Sequence, residues 1–146
     1  MSKLKVYILP LLFIILSGKN QNSKNISIPL FYYDHKEYTH THIIEGRIKK
    51  EKYYGPPNYG ETPEIDQKRT AIILVLKSKI CVLKDPKLNY IDPTKYDTVA
   101  DEIHLAPSAS GMKFSEGENV KVQGSFYSGY TGYHQRDLLM LVSKKY

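Results

Sequence analysis

Tryptophan is absent from the 146 residues, cysteine occurs once and phenylalanine four times. A single thiol excludes an intramolecular disulfide, so any core must hold by packing alone. Cys81 sits in Ile80-Cys81-Val82, an apolar context that predicts a buried, inert side chain. The residue patterns of familiar chemistries are missing too. There is no nucleophile elbow, no His-Glu-x-x-His, no phosphate loop and no Cys-x-x-Cys. No cofactor is therefore implied. No segment keeps a helical period beyond about two turns, and no internal repeat is present. The one long apolar run, Val6 to Leu16, has eleven residues. As a helix it rises about 17 Å, against a hydrocarbon core of ~30 Å, which is too short to span a membrane.

That run does fit a secretory leader. Lys3 and Lys5 precede it, and Ser17 and Gly18 follow as small residues at a cleavage point. Residues 1–18 thus read as a signal peptide with a helical apolar segment, and the protein as exported, to a periplasm or beyond the cell. The leader takes two of the positive charges with it, leaving +4 of the formal +6. Residues 19–38 read as a flexible spacer, rich at first in Asn, Lys and Ser and without periodicity. Asn25-Ile26-Ser27 fits the glycosylation pattern.

From residue 39 the pattern turns to strands. Ile44, Gly46 and Ile48 share one phase while Glu45, Arg47 and Lys49 share the other, the alternation a half-buried strand needs. Gly55-Pro56-Pro57-Asn58-Tyr59-Gly60 breaks it, because two prolines and two glycines can continue neither strand nor helix. Ala71 to Leu76 is continuously apolar and reads as a strand buried on both faces, running on through Ile80 to Val82. Residues 84–98 form a loop, Glu102 to Leu105 a short strand, Val120 to Phe126 a clear amphipathic strand and Leu138 to Val142 the last. Ser128 to Tyr133 connects the final pair. Five strands with glycine-punctuated turns predict an all-β domain over 39–146, a small five-stranded OB-like barrel, with a small β-sandwich as the alternative. Val122, Phe126, Leu74, Leu76, Ile44 and Ile48 are its expected core.

Three segments carry a family resemblance: Tyr54-Gly55-Pro56-Pro57-Asn58-Tyr59, Lys79-Ile80-Cys81-Val82, and Val120-Lys121-Val122-Gln123-Gly124 with Thr131-Gly132-Tyr133-His134. In this order, over roughly residues 40–142, the chain resembles the bacterial family named domain of unknown function 4431. The resemblance implies an exported, mostly β domain and names no activity. It also implies a histidine run after Thr131-Gly132 and a second cysteine ahead of the first strand. Here His134 stands alone between Tyr133 and Gln135, and Tyr32 and Tyr33 stand where the cysteine would be.

The thirteen tyrosines are the most suggestive surface residues. Tyr53, Tyr54 and Tyr59 cluster at the proline loop, Tyr127, Tyr130 and Tyr133 in the last connection. A tyrosine offers a rigid apolar ring with a polar tip, suited to peptides, sugars or bases. Tyr54, Pro56, Pro57, Tyr59, Tyr130, Tyr133 and His134 are therefore the candidate binding residues, with the two loops expected to lie side by side as in an OB barrel. His40 and His42, two apart on one strand face, are weak metal candidates, since a zinc site needs three or four ligands. Glu61, Glu64 and Asp66 read as solvated loop charges rather than a calcium site. These features predict a non-enzymatic binding module for an envelope or extracellular protein or glycan. The basic balance admits a single-strand nucleic-acid binder as an alternative, which the leader argues against, and His134 beside Asp137 admits a small hydrolase.

The leader reading has a direct check. Intact-mass analysis of exported protein should show a chain beginning near Ser17 to Lys19, and retention of Met1 or Ser2 would replace cleavage by a tether.

Overall fold

The computed structural model describes residues 28–33, 40–84, 98–109 and 111–146. The leader, the glycosylation triplet and nearly all of the 84–98 loop lie outside the described residues. Six strands are present: β1 (Leu30–Tyr33), β2 (His42–Tyr54), β3 (Lys68–Lys84), β4 (Thr98–Pro107), β5 (Asn119–Ser128) and β6 (Leu138–Lys145). Their order is β1-β3-β2-β5-β6-β4, and β3 also pairs with β4. Strands β2 to β6 therefore close on themselves as an OB-like five-stranded barrel, and no second sheet exists among the described residues to make a sandwich. All neighbours in the barrel are antiparallel except β4 and β6, which run parallel with Leu105 opposite Met140.

Closure depends on long strands that serve two neighbours. The first part of β2 pairs with β5, Ile44 opposite Val122, and the rest with β3, Ile48 opposite Leu74. The hand-over falls at Gly46 and Arg47. A Cβ at Gly46 would lie 2.5 Å from the Val75 carbonyl oxygen and 2.9 Å from the Leu74 side chain, so only glycine lets the backbones approach here. Strand β3 pairs with β2 over Lys68 to Val75 and with β4 from Ile72 to Val82, serving both at once over Ile72 to Val75, with a register shift between Val75 and Ile80 on the β4 side.

The alternation read from the sequence places the interior correctly. Ile44, Ile48, Leu74, Val122 and Phe126 share one core, and Leu76 packs against it only partly buried. Two core contributors carry no periodic signal. Phe114 comes from the segment joining β4 to β5 and plugs the interior as a single buried ring. Tyr33 comes from β1, which lies inside the expected 19–38 spacer yet pairs parallel with the end of β3, Leu30 opposite Cys81. That segment is ordered because Tyr33 is buried and Phe31 packs edge-on to Phe126 at 5.7 Å. Cys81, expected to be buried, is only partly so. It stands in a row between Leu30 and Val99, both of which reach solvent. Among the described residues no helix is long and apolar enough to cross a membrane.

Phe126 is wholly buried at the centre of this packing. Phe126→Ala should cost about 3–5 kcal/mol, read as a lower urea midpoint with unchanged slope. A loss below about 1 kcal/mol would mean that the ring is not enclosed.

Candidate functional site

The β2–β3 loop, residues 55–67, is built around one carboxylate. Asp66 is 6% exposed. Its Oδ1 accepts the Asn58 N–H at 2.7 Å, and its Oδ2 accepts those of Gly60 at 2.7 Å and Thr62 at 3.3 Å. Burial alone would raise this carboxyl, but the three backbone donors outweigh it and hold its pKa below the ordinary value. Asp66 is thus no solvated loop charge, which corrects the expectation; Glu61 and Glu64 are exposed. The Gly55 N–H donates to the Gln67 carbonyl and the Gln67 N–H to that of Pro56, closing the neck. The Pro56–Pro57 bond is cis. At the tip Tyr59 and Gly60 both take positive φ, 53° and 105°, and Tyr59 remains 47% exposed.

The β5–β6 loop, residues 129–137, is tied by two imidazoles and one guanidinium. The Tyr130 N–H donates to Nδ1 of His134 at 2.9 Å within the loop. The Gln135 N–H donates to Nδ1 of His104, on β4, at 3.1 Å. Arg136 reaches Glu102 Oε2 through Nε and Glu51 Oε1 through Nη2, each at 2.7 Å. Lys49 joins Glu51 at 2.6 Å. Arg136 and Lys49 together pull the Glu51 carboxyl down to about 2.

The two loops meet, as the sequence predicts. The Tyr59 ring lies edge-on to Tyr133 at 5.9 Å, and a Cβ on Gly132 would fall 2.6 Å from Tyr59 Cε1. The missing side chain of Gly132 is the seat of that ring. Arg69 covers Tyr133 at 4.7 Å. Register places Lys49, Ile73, His104, Leu139 and Tyr127 in one row around the outside of the barrel. Ile73 and Leu139 are buried there although they face away from the interior core, and Gly129 crosses close over Leu139. Tyr130, 72% exposed, sits edge-on to His134 at 4.9 Å.

Of the candidate residues, Tyr59, Tyr133, Tyr130 and His134 converge on this face. Pro56 and Pro57 shape the first loop's neck, and Tyr54 stands at the end of β2, where it lines a shallow cavity of about 260 Å³ with Lys52, Tyr53 and Lys68. His104, Arg69, Arg136, Glu51 and Glu102 were missed. Alternation around Ile103 and Leu105 would have turned His104 and Glu102 outward, but nothing local says that a distant loop lands on them. His40 and His42 stack at 6.5 Å beside β1. His42 Nε2 donates to the Tyr32 carbonyl, and its ring packs on Phe31 and Phe126. Among the described residues no three His, Cys, Asp or Glu gather as metal ligands. No family model matches the chain, and neither does any curated protein or solved structure.

Burial, assisted by His134 and Arg136 and opposed by Glu51, lowers His104 from 6.5 to about 4. The unfolded chain therefore binds a proton between these values that the folded chain refuses. The contribution is complete above pH 6.5 and falls away as the pH drops toward 4. Partial exposure limits it to about 1–2 kcal/mol. His104→Asn keeps an acceptor for the Gln135 N–H and cannot titrate, so urea midpoints of the variant should vary less with pH over this window. Parallel wild-type and variant curves would refute the assignment.

Proposed function

We propose that the chain is a non-enzymatic binding module, exported to a periplasm or secreted, that holds an envelope or extracellular protein or glycan on the face between its two loops. One observation carries the reading: both loops are fixed by satisfied polar groups, yet they leave Tyr130 and Tyr59 reaching solvent. Rings held out on a rigid frame lose little entropy when a partner covers them. In OB barrels the corresponding loops and the strand face beneath them serve as binding surfaces. The segments that carry the resemblance to domain of unknown function 4431, Tyr54 to Tyr59 and Thr131 to His134, are the ones that come together here, which supports the same surface.

A hydrolytic role for His134 is disfavoured by its hydrogen bond. A general base needs an open lone pair, and the one on Nδ1 is taken by the Tyr130 N–H. The nucleic-acid reading keeps the net positive charge in its favour. On this face, however, Arg136 and Lys49 are already paired with Glu51 and Glu102, which leaves few cations for a phosphate backbone.

The test is a Tyr59→Ser/Tyr130→Ser double variant. Tyr130 is mostly in solvent and Tyr59 about half so, so folding stability should fall by no more than about 2 kcal/mol, leaving the domain folded. Capture of envelope material on the immobilised variant should nevertheless be lost. Capture equal to wild type would remove this face as the site, and capture that collapses with modest added salt would favour nucleic acid.

A further inference from the structure

The two imidazoles of the loop face are fixed in the same tautomer. A ring nitrogen that accepts from a backbone N–H must supply a lone pair, so the proton of the neutral ring sits on the other nitrogen. His134 accepts from Tyr130 and His104 from Gln135, in both cases through Nδ1. Each therefore presents Nε2–H, a donor. The rings lie 6.5 Å apart, inclined at 79°, with Tyr127 and Tyr130 against His134 at 5.8 Å and 4.9 Å. Burial lowers the pKa of both rings and so favours their neutral form.

Two neutral donors beside an exposed aromatic ring suit a ligand with many uncharged oxygens and an apolar C–H side. An anionic ligand would look for cations, and here Arg136 and Lys49 are held by carboxylates while Arg69 lies on Tyr133 with its Nε and Nη2 bonded to Gln67. An extended peptide would look for a strand edge. The row from Lys49 through Ile73, His104 and Leu139 to Tyr127 is paired throughout and offers none. We infer that this face is a carbohydrate subsite, in which His104 and His134 donate through Nε2–H to sugar oxygens while the Tyr130 ring stacks on the C–H face of the sugar. The inference rests on the binding-module reading and narrows its ligand class.

The experiment is retardation of the full chain in native gels containing hydroxyethyl cellulose, pullulan or glycol chitin. At least one polymer should retard the wild type. Tyr130→Ala should weaken that affinity about tenfold. His134→Asn preserves an acceptor for the Tyr130 N–H but lacks the distal donor, and should weaken it roughly fivefold, the value of one neutral hydrogen bond. Protection of the Tyr130 amide from exchange should persist in His134→Asn, which a merely structural role for the imidazole would not allow once binding is lost. If that variant does not fold, Tyr130→Ala decides alone, since its ring is mostly in solvent. Retardation by none of the polymers, or retardation that both variants leave intact, overturns the inference. So does binding of oligothymidylate that depends on the same residues. Envelope capture by wild type and not by the double tyrosine variant would then leave the binding module standing without its sugar, whereas loss of both would end the two readings together.

Discussion

The hand-over in β2 at Gly46 and Arg47 is the constraint from which the other elements follow. A strand that serves β5 with its first half and β3 with its second must bend sharply, and the bend brings Gly46 against the Val75 carbonyl, where any Cβ would collide. Once β2 turns, β3 is carried around to meet β4, and β4 to meet β6, so the sheet has no free edge within the barrel. The apolar phases of five strands then point to one axis. Phe114 and Tyr33 complete that interior from outside the barrel strands, beside the Phe126 ring that alternation in β5 places there.

The loops obey a different economy. Neither is held by a large apolar cluster; each is held by side-chain acceptors that take up backbone N–H groups of the loop. In the first, Asp66 gathers three N–H donors that the turn at Tyr59 and Gly60 leaves without strand partners. In the second, His134 and His104 accept two N–H groups and Arg136 bridges β2 and β4. Exposed ion pairs such as Lys121 with Glu45 are screened by solvent and add little to stability. The partly buried group of Glu51, Glu102 and Arg136, with exposed Lys49 beside it, acts mainly on position, fixing where the second loop lands.

Much of this was written in local pattern. The phases of Ile44 and Ile48, of Val120 to Phe126 and of Leu138 to Val142 each required a strand with one buried face, because alternating apolar residues cannot otherwise leave water. The double-sided burial of Ile73 and Leu74 was legible as an unbroken apolar run. The loop at Gly55-Pro56-Pro57 was legible too, since two prolines remove the donors a strand would use. The tyrosine clusters on that loop and on residues 130–133 pointed to the two segments that meet.

The remainder had no local signal. β1 forms because Tyr33 finds the core and β3 offers an edge, and four residues between polar stretches carry no period of their own. Asp66 looked like any acid in a polar loop; only the fold of its own turn aims three N–H groups at it. His104 stands one residue from Ile103 and from Leu105, which made it an outward residue of unknown company. The company is His134 and the Gln135 N–H, from 30 and 31 residues further along. The sequence by itself determined the five barrel strands, their inward faces and the ring-bearing loops, because these depend on period and on backbone chemistry within a few residues. Barrel closure, the tautomers of the two imidazoles and the joining of Tyr59 to Gly132 were decided by the tertiary structure alone, because each is a contact between segments whose spacing along the chain says nothing about their distance in space.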